Sequence, residues 1–457
     1  MNSLSEVQQK AVTHRDGPML VLAGPGSGKT MVLTRRVQYL TEICHIPPGE
    51  ILVITFTKAA AREMKERYLR LTNSANTAVS FGTFHAVFFQ ILKLAYGYRA
   101  DNILRETEKY QFLREAVYKQ KLEPDDESEL IGSIAAEISK VKNDRVNLQE
   151  YKATSCNTKS FTAIFNEYDN YQRRSNKIDF DDMLVMCHEL FTERKDILAA
   201  WQKKFKYILV DEFQDINLLQ YQVVRMLALP ENNLFIVGDD DQSIYRFRGA
   251  KPEIMLGFEK DFPGTKRVLL GTNYRSTKEI VETSLRLIEH NKVRFEKKLE
   301  PFRGSGRPVD FRVFDNPGHE MDTVAQSIRA YHDAGYQWSE IAVLFRTGAN
   351  SGLMAERLMG YNIPFKLRDV IPNLYSHWIA KDLFAYMEIA AGSRKRSDFY
   401  RIMNRPNRYF SRDAFDTPIV SFDRLKSFYQ DRDWMEERIC DLEADLRAMA
   451  PLKPVAA

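Results

Sequence analysis

Met19-Leu20-Val21-Leu22-Ala23-Gly24-Pro25-Gly26-Ser27-Gly28-Lys29-Thr30 is the stretch from which the rest of the chain is read. Its first five residues are apolar and suit a buried strand, and a helical pattern, Val32–Leu40, follows. The loop between them carries three glycines and ends in Lys-Thr. Such glycines let successive backbone N–H groups close around phosphate oxygens, and the N-terminus of the next helix adds a favourable dipole. In this setting Lys29 reaches β- and γ-phosphates and the Thr30 hydroxyl holds Mg²⁺. The strict pattern opens with Gly where this chain has Ala23, but Gly24, Gly26 and Gly28 keep the loop flexible. Ala23, Gly24, Pro25, Gly26, Ser27, Gly28, Lys29 and Thr30 are candidate contacts to ATP.

Outward from the loop, short apolar runs alternate with longer helical patterns, which predicts an α/β fold with parallel sheets. Expected strands are Met19–Ala23, Ile51–Thr55, Val79–Phe81, Tyr207–Val210 and Leu234–Val237. In open parallel sheets ligands gather at the carboxyl ends of strands. From Leu104 to Trp201 charged helical periodicity replaces the strand signals. Strand-like runs on both sides favour a helical insertion between two parts of one sheet over a separate helical domain in linear order. A second α/β segment is expected from near Arg267, with strands at Val268–Leu270, Val309–Val313 and Ile341–Phe345. Beyond Phe365 the pattern is helical, and Ile379, Leu383, Tyr386, Met387 and Ala390 form an expected packing stripe.

The 457 residues are enough for two to four domains. Hydrophobic residues at 44% and charged residues at 28% describe an ordinary globular chain. The net charge of +4 permits a nucleic-acid partner without indicating one. Cys44, Cys156, Cys187 and Cys440 form no CxxC pair, so neither a zinc site nor a disulfide framework is indicated. The N-terminus has no apolar signal core and no run approaches membrane-span length, so the expected location is the cytosol, with no membrane partner.

Three further elements carry chemistry. Tyr207-Ile208-Leu209-Val210 runs directly into Asp211-Glu212-Phe213-Gln214-Asp215. Carboxylates at the open end of a strand can meet a metal: Asp211 suits Mg²⁺, and Glu212 suits a general base for attacking water. Standing alone, the same residues would be an acidic turn. Leu234–Val237 runs into Gly238-Asp239-Asp240-Asp241-Gln242-Ser243-Ile244-Tyr245-Arg246-Phe247-Arg248-Gly249. Gln242 is a candidate γ-phosphate sensor. Tyr245, Phe247 and Arg248 belong to an alternation of rings and cations of the kind found in single-strand grooves, though standing alone it would more often be core aromatics beside a charged surface. Finally, in Gly271-Thr272-Asn273-Tyr274-Arg275-Ser276-Thr277, Tyr274 could stack on adenine and Arg275 could meet the γ-phosphate. An ordinary strand-to-helix turn is the alternative there.

These four elements, in this order, resemble the UvrD/Rep/PcrA type of superfamily 1 DNA helicases from Leu4 to about Phe415. The resemblance implies RecA-like motor cores, ATP and Mg²⁺, and movement 3′ to 5′ on single-stranded or partially duplex DNA in repair, replication or recombination. It implies that Gln8, in Leu4-Ser5-Glu6-Val7-Gln8, reads adenine and that Arg36 lies near the base. It places Phe56, Thr57 and Lys58, then Thr83, Phe84 and His85, on single-stranded DNA, with Phe247 standing where many relatives carry Trp. Lys29, Glu212, Gln242 and Arg275 become the catalytic candidates. The implied domains are 1–90 with 200–268 (first core), 91–199 (its insertion), 269–362 (part of the second core) and 363–457 (start of the second insertion). The family's motifs V and VI have no counterpart here, so a C-terminally truncated helicase with impaired unwinding is expected. Two other readings stay open: a nucleotide-switched single-strand-binding module, and the front of a RecB-like helicase–nuclease.

Overall fold

The computed structural model describes residues 4–122, 126–246, 249–368, 375 and 377–451. The chain forms two compact units, Met1–Asp310 and Phe311–Ala457.

In the first unit, β1 (Met19–Ala23), β2 (Ile51–Thr55), β3 (Ser80–Thr83), β4 (Tyr207–Val210), β5 (Leu234–Gly238) and β6 (Lys266–Leu270) form one six-stranded sheet. The order is β3-β2-β4-β5-β1-β6, and every pairing is parallel. β1, β2, β4 and β5 are buried along their whole length, as strands covered on both faces must be. Alternate residues serve opposite cores. Met19, Val21, Val53, Leu209 and Val237 pack under α2 (Lys29–Gln38) and α3 (Lys58–Leu71), which add Val32, Leu33, Val37, Met64 and Tyr68. Leu20, Leu22, Ile54, Val210 and Ile236 face the other way, onto residues of α4 (Phe84–Tyr96) and of helices Phe180–Glu193 and Leu218–Ala228. Each such side chain stabilises the fold by about 1.5–3 kcal/mol.

Between β3 and β4 the described residues contain helices and no strand ladder, only an isolated bridge from Ile103 to Ile178. Helices Glu106–Lys119, Glu127–Asp144 and Thr158–Ser175 surround a core of their own that includes Leu113, Ile134, Ile138, Phe161 and Ile164. The strands on either side of this segment, β3 and β4, belong to the same sheet, as an insertion requires.

Three expectations are corrected. Val268–Leu270 does not open a second sheet: it is part of β6, with Val268 opposite Val21 of β1. Val309–Val313 and Ile341–Phe345 enter no ladder among the described residues. Phe311, Val313 and Leu344 are 87%, 83% and 91% exposed, while Ile341, Val343 and Phe345 pack one face onto the cluster around Met321 and Met354 without pairing to a strand among the described residues. The stripe on helix Trp378–Ala390 is met only in part: Tyr386 and Ala390 pack against the core around Phe399 and Ile439. Ile379 and Leu383 are exposed, while Ala385 and Ile389 are buried and Asp382 is held by Arg401 and Arg405 at 2.9 and 2.7 Å.

After β6, a short ladder joins β7 (Thr272–Asn273) to β8 (Glu300–Pro301). The second unit contains two helical clusters. One joins Pro317–Asp333 to Ala349–Gly360 through Met321, Ala325, Met354 and Leu358. The other gathers Trp378–Ala390, Arg396–Ile402, Phe422–Phe428 and Asp433–Met449 around Phe399, Ile402, Leu425 and Ile439. Among the described residues no helix is long and apolar enough to cross a membrane.

Candidate nucleotide and nucleic-acid site

The glycine-rich loop leaves the carboxyl end of β1 and is pinned at both ends. The Gly24 N–H donates to the Leu270 carbonyl (3.2 Å), and the Ser27 hydroxyl donates to the Gly24 carbonyl (2.7 Å). Gly26 and Gly28 have φ of +66° and +89°, in the left-handed region that favours glycine. Gly26 is needed for a second reason: a Cβ there would lie 2.7 Å from the Cβ of Arg275 and 2.9 Å from Asn273 Oδ1. The Tyr274 N–H donates to the Gly26 carbonyl (3.0 Å), and Asn273 Oδ1 accepts from the Arg275 and Ser276 amides (both 2.8 Å). Tyr274 and Arg275 are thus brought onto the loop. Asn273, which the sequence did not single out, shapes that turn.

Gln8 sits on α1 (Glu6–Val12), whose capping box it forms with Ser5. Its Nε2 donates to the Ser27 carbonyl (3.0 Å) and its Oε1 accepts from the Ser5 amide (3.0 Å). The second amide hydrogen is not used in these bonds.

Lys29 opens α2 and points across to the end of β4, where its Nζ meets Glu212 Oε2 at 2.9 Å. Glu212 has a left-handed φ of +50°, and the same oxygen accepts from Gln214 Nε2 (3.0 Å). Gln214, almost fully buried, also accepts from the Asp239 amide through Oε1 (3.0 Å), tying the end of β5 to the end of β4. Gly238 is required there, because a Cβ would come within 2.7 Å of that carboxamide oxygen. Sequence reasoning passed over Gln214, although it stands inside the acidic motif.

Asp211 is 4% exposed, and its Oδ1 has no hydrogen-bond partner. Burial, and then the neighbouring Glu212, push its carboxyl up to about 7 against the pull of Lys29. The same causes push Asp215 up to about 6, and Asp215 Oδ1 and Thr55 Oγ1 are likewise buried without partners. Unpaired buried oxygens of this kind are costly unless a donor or a cation satisfies them. The Asp211 carboxyl therefore fits a Mg²⁺ ion, which takes one or two protein oxygens and completes its shell with phosphates and water. No cluster of three or more acidic, His or Cys side chains could hold a metal unaided among the described residues.

Gln242 lies in the turn after β5, with its Nε2 donating to Asp239 Oδ2 (2.7 Å). Arg36 is not beside the loop, and its expected role near the base is corrected. Helix α2 runs back from Lys29, and seven residues at 1.5 Å each carry Arg36 about 10 Å away. Its guanidinium is fully buried over the Phe235 ring (4.4 Å) at the start of β5, donating to the Arg15 carbonyl (3.3 Å). Burial lowers its pKa to about 9.

The nucleic-acid candidates divide. Phe56, at the end of β2, stacks on Tyr245, with centroids 5.0 Å apart and planes at 23°. Thr57 caps α3 by accepting from the Ala60 amide (3.1 Å), and Lys58 beside it is exposed. Thr83 caps α4 in the same way (3.3 Å). Phe84 is 2% exposed and packs in the core, so its assignment as a strand contact is corrected: the first turn of α4 points it inward. His85 meets Phe180 edge-on at 5.2 Å, and burial lowers its pKa. Phe247 and Arg248 lie outside the described residues.

Residues 4–263 match the UvrD/REP helicase N-terminal domain, and residues 268–427 match the UvrD-like helicase C-terminal domain. A Bacillus subtilis protein named as a candidate ATP-dependent DNA helicase, YjcD, is 34% identical over 473 residues, covering 99% of this chain and 61% of that protein. The ATP-dependent DNA helicase PcrA of Bacillus subtilis is 35% identical over 89% of this chain and 56% of its own length. That of Leuconostoc citreum is 34% identical, covering 89% and 55%. The chain thus spans between half and two thirds of the length of these relatives.

Proposed function

The chain belongs to the UvrD/REP helicase family, and on that premise we propose that it couples ATP hydrolysis to movement along single-stranded DNA, 3′ to 5′. The observation that supports this best is the Lys29–Glu212 contact at 2.9 Å beside the buried Asp211 carboxyl, whose Oδ1 has no hydrogen-bond partner. A lysine, a carboxylate suited to act as base and a carboxyl suited to hold a cation converge on one glycine-rich loop.

The arrangement suggests an order of events. Without nucleotide, Lys29 neutralises Glu212 and keeps it from acting as a base. Phosphate oxygens compete for Lys29, and its departure frees Glu212 to take a proton from attacking water. Thr30 and Asp211 would hold Mg²⁺, which neutralises charge on the β- and γ-oxygens. Gln242 and Arg275 would meet the γ-phosphate from opposite sides of the loop, and Gln8 and Tyr274 the adenine. Phe56 and Tyr245 would offer ring faces to bases, with Thr57, Lys58, Thr83 and His85 along the strand. Through Gln214, the end of β5 that leads to Tyr245 is bonded to Glu212, a direct link between hydrolysis and the strand.

Turnover measured with and without a single-stranded oligonucleotide tests the proposal. DNA-stimulated turnover that disappears in Lys29→Ala and Glu212→Gln is expected. Failure to bind Mg²⁺-ATP would overturn it. Nucleotide-dependent DNA affinity without any turnover would instead favour a binding switch.

A further inference from the structure

Lys297 is the deepest unassigned cation among the described residues of the first unit. Its side chain is fully buried, yet it lies outside every motif considered above. Its Nζ contacts three successive carboxylates: Asp239 at 2.5 Å, Asp240 at 2.7 Å and Asp241 at 2.7 Å. Arg294 grips Asp241 with Nε and Nη2 at 2.7 and 2.6 Å, and the Phe295 amide donates to Asp240 (2.8 Å). Three anions are thus met by two cations and a backbone donor, all well removed from water.

The placement matters because of what Asp239 holds. One oxygen accepts from Lys297 and, more weakly, from the Asp241 amide at 3.2 Å, and the other accepts from the Gln242 carboxamide at 2.7 Å. Its amide, in turn, donates to Gln214, which bonds Glu212. Lys297 is also close in sequence to β8, which pairs with β7 just ahead of Tyr274 and Arg275. Leu299 abuts Gly24 so closely that a Cβ there would meet its Cδ2 at 2.5 Å. The segment 294–301 therefore touches the phosphate loop, the strand before Arg275 and the anchor of Gln242.

We propose that Lys297 is a positioning residue for recognition of the γ-phosphate: by fixing Asp239 it aims the Gln242 carboxamide, and it joins that aim to the segment carrying Arg275. This rests on the nucleotide reading of the loop. A charge-assisted carboxylate holds a carboxamide in one orientation, whereas a carboxylate without its cation turns to find other donors. Burial alone would lower the lysine pKa, but the three aspartates outweigh it and raise it, so Lys297 stays charged through the neutral range.

The test is equilibrium binding of Mg²⁺-ATP and Mg²⁺-ADP to the chain, in a cycle of Lys297→Gln, Gln242→Ala and the double variant. The ratio of ATP to ADP affinity should fall about tenfold or more in each single variant, as for the loss of one hydrogen bond to a charged group. The double variant should fall no further than Gln242→Ala, ADP affinity should stay within about twofold, and Lys297→Arg should restore most of the ratio. If Gln242→Ala leaves the ratio unchanged, the phosphate-sensing role of Gln242 fails. If Gln242→Ala lowers it and Lys297→Gln does not, or if the two losses multiply, the positioning role fails. Should Lys297→Gln not fold, Asp239→Asn replaces it in the same cycle with the same criteria.

Discussion

Replacing Asp211 by Asn is expected to stabilise the nucleotide-free chain at alkaline pH while removing its response to Mg²⁺. An unfolded chain releases this proton near 3.8, whereas burial pushes the folded carboxyl up to about 7. Between those values the folded state binds more protons than the unfolded state, so stability falls as pH rises. Each pH unit in that window is worth about 1.4 kcal/mol, so above pH 7 the ionised carboxylate costs the folded state about 4 kcal/mol. Below 3.8 the cost vanishes, because both states are protonated. Asparagine carries no charge, and its own unpaired amide costs about 1–3 kcal/mol at every pH. Relative to the wild type, the variant should therefore gain about 3 kcal/mol between pH 5 and pH 8. Urea unfolding in chelator at the two pH values measures this directly. Adding Mg²⁺-ATP should then raise the wild-type midpoint and leave that of Asp211→Asn unmoved. A stability difference that stays flat between pH 5 and pH 8 would refute the claim that burial pushes the Asp211 carboxyl up to about 7. An equal response of both proteins to Mg²⁺-ATP would refute its role toward the cation.

Other substitutions follow from the geometry. Phe56→Ala and Tyr245→Ala should each weaken single-strand binding by about 1–3 kcal/mol, with the salt dependence unchanged because no phosphate contact is lost; a titration at two salt concentrations separates these effects. Gly26→Ala should abolish nucleotide binding, since the new methyl would meet Arg275 and Asn273 in a left-handed turn; retained affinity in a fluorescent-nucleotide assay would contradict the loop geometry. Gln214→Ala should keep ATP affinity but uncouple DNA from turnover, so that the ratio of stimulated to basal rate falls towards one. Arg36→Met should leave nucleotide affinity intact, because Arg36 lies in the core at the far end of α2; a large loss of affinity would restore its expected place beside the base.

Local pattern explains which features could be read in advance. Strands β1, β2 and β4 were legible to the residue because continuous apolar runs are what a doubly covered parallel strand requires. β3 extends to Thr83 because Gly82 and Thr83 pair with Ile54 and Thr55, a fact about the neighbouring strand and not about their own side chains. The stripe on Trp378–Ala390 is met at Tyr386 and Ala390 but not at Ile379 and Leu383, because periodicity gives a helix its faces without saying which one has a partner. Val268–Leu270 was recognised as a strand but given to the wrong sheet, since its neighbour β1 lies far away in sequence. At the site, the glycines, Lys29 and the acidic pair announced themselves by type and spacing. Gln214, Asn273 and Lys297 did not. Their importance comes from partners brought up by the fold, and an isolated glutamine, asparagine or lysine carries no signal of its own. Arg36 misled in the opposite sense: it is near Lys29 in sequence, but the helix between them leads away from the loop.

The order of strands in the sheet also governs how the chain must be made. β1 lies between β5 and β6, so neither of its hydrogen-bonding edges has a neighbour until residues 234–270 have been synthesised. Lys29 waits for Glu212, 183 residues downstream, which at ribosomal speeds of 5–20 residues per second is roughly 10–40 s. Through that interval the nascent chain carries an apolar strand open on both edges. The helical segment between β3 and β4 has its own core and can fold while the sheet is unfinished, shielding part of the chain but not β1. Closing the sheet therefore depends on contacts distant in sequence, the kind that form slowly and expose a chain to aggregation. Chaperone dependence and low yield on rapid overexpression would have their origin in this strand order, whatever the stability of the finished protein.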